Sequence, residues 1–129
     1  FYGEKLQKIT DMQKMMNLFY LDLSLIEYNS MNIDNQSKEI DHLYFKSSNS
    51  IHKRVEPYIA YVVHEKHLYR LESSLKLAYP LLGESEMVVD DLGLVENFRL
   101  YASKTHHLLY LKQPGKEEIL IKVRKLNER

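Results

Sequence analysis

Residues 94–126 read LVENFRLYASKTHHLLYLKQPGKEEILIKVRKL. Near their end Ile119, Ile121 and Val123 alternate with Lys122 and Arg124, a period of two that turns one side of an extended chain inward and predicts a strand over 118–126. Just before it, Gln113-Pro114-Gly115-Lys116 joins a proline with preset φ to a glycine able to take positive φ, the chemistry of a type II turn. Ser103 to His106 supplies a second turn. Strands over 94–102, 108–112 and 118–126 then form a three-stranded antiparallel meander.

Upstream, short segments rich in β-branched and aromatic residues are separated by polar turns, which predicts strands over 42–46, 58–63, 68–72 and 87–89. The N-terminus differs. Leu6, Ile9, Met12, Met16, Phe19, Leu23 and Ile26 recur at the spacing of one helical face, predicting a helix over 4–27. Lys5, Lys8, Asp11 and Asp22 are expected to face water, while Met15, Leu18 and Leu25 widen the apolar stripe. Asn29, Ser30 and the polar run 32–37 compete with helix continuation through local side-chain hydrogen bonds. Long loops are expected over 29–40 and 73–85, with Leu75, Leu77 and Tyr79 able to add a short strand. The fold class predicted is α+β, with a helix at 1–28 packed on antiparallel β-sheets built from 40–129, all in one domain.

The 129 residues suffice for a single core. Hydrophobic residues make up 44%, which argues against disorder. Basic and acidic residues number 18 each, so no global field favours phosphate backbones, and direct nucleic-acid binding is not expected. Cysteine is absent, which excludes disulfides, thiol nucleophiles and cysteine-ligated zinc. No apolar run reaches the roughly 20 residues that span a bilayer.

Candidate chemistry is sparse. His64-Glu65-Lys66-His67 has two histidines three apart between strand patterns, whereas the zinc-protease motif needs a spacing of four on a helix. A solvated hairpin tip is the expectation there. His106 and His107 are neighbours on a strand and point to opposite faces. Glu84, Glu86, Asp90 and Asp91 are oxygen-rich enough to raise the question of calcium, but they lack the alternating ligand loop with its glycine and closing glutamate. The four glycines stand far apart, so no phosphate loop forms, and Ser47, Ser48 and Ser50 lack a nucleophile-elbow context. Of the ten tyrosines, Tyr44 with Lys46 and Tyr69 with Arg70 are the close aromatic–basic pairs. No catalytic residue, metal or cofactor is predicted.

The order of segments carries a resemblance. MNLFYLDLSLI (16–26), IDHLYFK (40–46), LYRLE (68–72), LGLVENFRLYA (92–102) and EEILIKVRKL (117–126) together resemble the J-type minor pseudopilins, prepilin-like proteins of type II secretion, type IV pilus and competence systems. The resemblance implies a pilin-like fold and a non-enzymatic subunit of the inner membrane, its domain on the periplasmic side, processed and methylated at its N-terminus. Its partners would be other minor pseudopilins, and Tyr2, Leu6 and Ile9 would continue the apolar face of a longer helix as a partner interface. The basic leader and apolar membrane segment of prepilins are expected upstream of Phe1. Two alternatives remain open: a ligand-binding sensor or adaptor, needing an apolar pocket, and an enzyme built on His64, His67 or the acidic loop.

Overall fold

The computed structural model describes residues 5–8 (backbone only), 12–26, 30–35, 38, 40–47, 58–73 and 88–125. Strands β1 (Lys5–Lys8), β2 (Asn32–Asn35), β3 (Asp41–Lys46), β4 (Tyr58–His64), β5 (His67–Ser73), β6 (Val88–Leu94), β7 (Asn97–Ala102), β8 (His106–Lys112) and β9 (Ile119–Arg124) accompany one helix, α1 (Met12–Ser24). Six strands form a sheet in the order β1-β6-β5-β4-β3-β2, and β7-β8-β9 form a second. All pairings are antiparallel except β1 with β6.

The expected pilin-like helix on a sheet is thereby overturned: among the described residues strand dominates, and the one helix has 13 residues. Helical periodicity at Leu6 is equally satisfied by an extended chain, and Lys5–Lys8 pairs in parallel with Val88–Asp91 instead. Within 12–24 there is no Gly, Pro or β-branched residue, which favours helix. The helix ends where Leu25 N–H still reaches Leu21 O at 3.2 Å and Ser24 Oγ bonds the same carbonyl. Ile26 then forms an isolated bridge to Ser47.

The principal core lies between the sheets and α1. Met15, Leu18, Phe19 and Leu23 of the helix join Leu43, Phe45, Ile59, Tyr61, Leu68 and Leu92 of the large sheet and Phe98, Leu100, Leu109, Leu111, Ile119, Ile121 and Val123 of the small one. Tyr61 is its aromatic hub, with ring centroids 5.4 Å from Phe19, 6.1 Å from Phe45 and 6.1 Å from Phe98. A second cluster of Tyr44, Ala60, Val62, Leu71 and Val89 buries the other face of the large sheet.

The meander expected from Leu94 onward is present with tighter limits. Gly115 adopts φ 73°, and Lys116 N–H closes on Gln113 O at 3.2 Å, as the type II turn requires. Ser103 N–H donates to His106 O at 2.9 Å in the other turn. The segment 94–102, expected as one strand, breaks at Val95 and Glu96, because the chain leaves the large sheet there. Gly93 takes φ 98° where β6 bulges against β5, and Val95 N–H bonds Lys66 O at 2.8 Å across the junction. The predicted loop 29–40 contains β2, held to β3 by Asn32–Asn35 pairing with Asp41–Tyr44. The loop expected at 73–85 and its optional strand lie outside the described residues beyond Ser73, which ends β5.

Candidate functional site

Asp22 sits three residues after Phe19, four after Leu18 and four before Ile26, in the middle of the helix's apolar stripe. It does not face water as expected; it is completely buried. A carboxylate there requires a partner, and β5 supplies it. Strand alternation puts Leu68, Arg70 and Glu72 on the face turned toward α1. Arg70 donates from Nε to Asp22 Oδ2 at 2.7 Å, from Nη2 to Asp22 Oδ1 at 2.9 Å and from Nη1 to Glu72 Oε1 at 2.8 Å. Tyr61, opposite Arg70 on β4, donates its hydroxyl to Asp22 Oδ2. All four side chains are inaccessible to solvent.

The arrangement suits charge burial. The planar guanidinium meets Asp22 with two parallel bonds, the strongest geometry for such a pair. Burial pulls against the Arg70 cation, but the charges and hydrogen bonds of its partners, Asp22 foremost, outweigh it and raise its pKa above the ordinary value. Burial, then the adjacent Asp22 carboxylate, pushes the Tyr61 hydroxyl well above its ordinary value. Arg70 therefore stays cationic and Tyr61 protonated across the neutral range, and the cluster works as a clamp between α1 and the large sheet.

The residues singled out in the sequence are dispersed. His64 and Glu65 are at the tip of the β4–β5 hairpin, as predicted, with Glu65 and Lys66 at φ 49° and 65°. His67 Nδ1 lies 3.1 Å from Asp91 Oδ1, which also accepts Gly93 N–H at 2.8 Å. Asp90 and Asp91 of the acidic quartet sit on β6 with opposite facing; Glu84 and Glu86 lie outside the described residues. His106 lies at the outer face of β8, and His107 turns inward, where burial and then the Lys125 charge lower its pKa to about 4. Ser47 Oγ donates to Asp22 O at 3.3 Å; Ser48 and Ser50 lie outside the described residues. Neither aromatic–basic pair forms a stacking platform, because Tyr44 and Arg70 are buried and Lys46 lies over the Tyr58 ring at 5.5 Å. Among the described residues no cluster of three metal-ligating side chains occurs.

Leu6 belongs to β1, and Tyr2 and Ile9 lie outside the described residues, so their shared helical face is not part of α1. What α1 does present is a second apolar region. Met16 and Tyr20, one turn apart, are 37% and 52% exposed, and Leu21 on the opposite flank is 44% exposed. No described helix is long and apolar enough to cross a membrane. No family model, curated protein or solved structure matches the chain.

Proposed function

We propose that the protein is a non-enzymatic assembly subunit whose helix α1 docks against neighbouring subunits, in the specific form of a minor pseudopilin of a type II secretion, type IV pilus-like or DNA-uptake machine. The supporting observation is the two-sided helix. One side is locked to the domain by the Asp22–Arg70 clamp, while Met16 and Tyr20 extend the apolar arc into solvent beside it. A surface helix typically carries polar residues at such positions. The segment order noted in the sequence supports the minor-pseudopilin form without choosing among the three machines; the two-sheet architecture does not contribute to it.

The partners are helices of other minor pseudopilins, packed ridge into groove against Met16 and Tyr20. Mass spectrometry of the intact native protein recovered from membranes tests the specific form. A processed, N-methylated terminus followed by about 20 apolar residues is expected. A soluble product starting at an unprocessed methionine, with no such segment, rules out the pseudopilin.

A further inference from the structure

The neutrality of the whole chain conceals an uneven distribution. Five carboxylates, on Asp22, Asp41, Glu72, Asp90 and Asp91, are buried, and among the described residues Arg70 is the single Lys or Arg buried with them. Among the described residues the accessible surface is accordingly richer in cations than a neutral composition implies. The excess gathers on the small sheet: residues 97–116 and 119–125 contain no Asp or Glu. The three carboxylates of the region, Glu96, Glu117 and Glu118, all stand at one end of it, where Lys112 Nζ lies 3.8 Å from Glu96 Oε1 and Glu118 accepts the Tyr110 hydroxyl.

The other end is formed by the 103–105 turn and the close of β9, tied together by Lys125 N–H donating to Thr105 O at 2.8 Å. It carries Lys104, Lys122, Arg124 and Lys125, with His106 opposite Arg124. Register places Tyr101, Leu108 and Lys122 in one row across the three strands and Arg99, Tyr110 and Leu120 in the next. Tyr101 is 53% exposed, Leu120 64% exposed and Tyr110 half-buried, so this outer face presents aromatic and apolar surface beside its cations.

We infer that the outer face of the β7–β8–β9 sheet binds single-stranded nucleic acid, with bases on Tyr101 and Tyr110 and phosphates at Lys104, Lys122 and Arg124. Tyr101 and Tyr110 are diagonal neighbours on adjacent strands, a spacing of about 7–8 Å that accommodates successive unpaired bases. An exposed ring at Tyr101 and a half-buried one at Tyr110, set among basic side chains, take any base, since every base offers a π-face. A duplex keeps its bases paired and gives these rings nothing to stack on. An anionic lipid surface shares the charge chemistry but is favoured less, because the turn at the cationic end is Ser103-Lys104-Thr105, with no apolar residue to insert. This inference stands independently of the assembly role proposed above.

The test is fluorescence anisotropy of a labelled oligothymidylate against the full chain at low and moderate salt. Saturable binding is expected, weakened about tenfold by Tyr101→Ala. Lys122→Gln with Arg124→Gln should lower the salt slope by about 1.4, at about 0.7 per phosphate contact. These are surface positions, and an unchanged circular dichroism melt verifies folding. Failure to saturate, equal affinity for duplex DNA, or binding that Tyr101→Ala leaves unchanged and that heparin or anionic vesicles reproduce would each overturn the inference.

Discussion

Arg70 and Asp22, 48 residues apart in the chain, meet through two parallel hydrogen bonds of 2.7 and 2.9 Å in a site closed to water. This contact fixes α1 on the large sheet, and with it the placement of Met16 and Tyr20. Removing one partner strands the other charge in the core. Asp22→Ala and Arg70→Ala are each expected to cost about 3–5 kcal/mol, a large part of the roughly 5–15 kcal/mol that holds a typical domain together. A triple replacement with apolar residues at 22, 70 and 72 should cost much less than the sum of the single changes. Urea denaturation of the set measures this non-additivity, and strictly additive losses would show that the charges do not act as a unit.

Tyr61→Phe leaves the aromatic hub in place and deletes the hydroxyl bond to Asp22, so a loss of about 1.5–3 kcal/mol is expected for a bond to a charged acceptor. Because the folded-state pKa of Tyr61 is raised, its contribution is complete below the ordinary tyrosine value near 10 and fades as pH rises above it. Ultraviolet titration should show at least one more tyrosine ionising after alkaline unfolding in the parent than before it, a difference that Tyr61→Phe reduces by one.

His107 gives the opposite pH dependence. Its folded-state pKa is lowered from 6.5 to about 4, so the unfolded chain takes up a proton first as pH falls. Its stabilising contribution is present above pH 6.5 and is lost through the window down to about 4. His42, also buried and lowered, adds in the same direction. Thermal melts between pH 7 and 4 should show a shallower decline for His107→Gln than for the parent, and parallel curves would contradict the assignment.

Glu65 and Lys66 hold positive φ at the hairpin tip, a conformation that asparagine and glycine adopt with less strain. Glu65→Asn with Lys66→Gly is expected to stabilise the protein by about 1 kcal/mol, read as a rise in melting temperature. His64→Gln and His67→Gln should leave the fold largely intact, with no stoichiometric metal lost. Gly93→Ala should act in the other direction: φ is 98°, and a Cβ there would lie 3.1 Å from Gln113 Nε2, which donates to Leu92 O at 3.0 Å. A cost of about 1–3 kcal/mol is expected.

The small sheet was legible because its signals are local. Alternation at Ile119, Ile121 and Val123 and the Pro114-Gly115 pair depend on neighbours in sequence, and the structure follows them closely. β1 was not legible, since its partner β6 lies some eighty residues away and Leu6 fits a helical period as readily as an extended one. β2, with sequence Asn32-Ile33-Asp34-Asn35, has little strand propensity and owes its form to β3. The buried clamp left a signal that spacing alone could have found: Asp22 occupies a stripe position between Phe19 and Ile26, where a carboxylate implies an internal cation. Which cation it meets is a property of the tertiary fold. The cationic face of the small sheet was hidden for a related reason, because net charge counts buried and exposed carboxylates alike.

Docking through the outer side of α1 is tested most directly by placing a photoreactive amino acid at position 20 in the native protein, in cells, with position 65 at the hairpin tip as control. A discrete adduct with a neighbouring subunit is expected from position 20 and none from 65, lost when Met16→Lys is added. Absence of an adduct from position 20, or the same adducts from both positions, would contradict it.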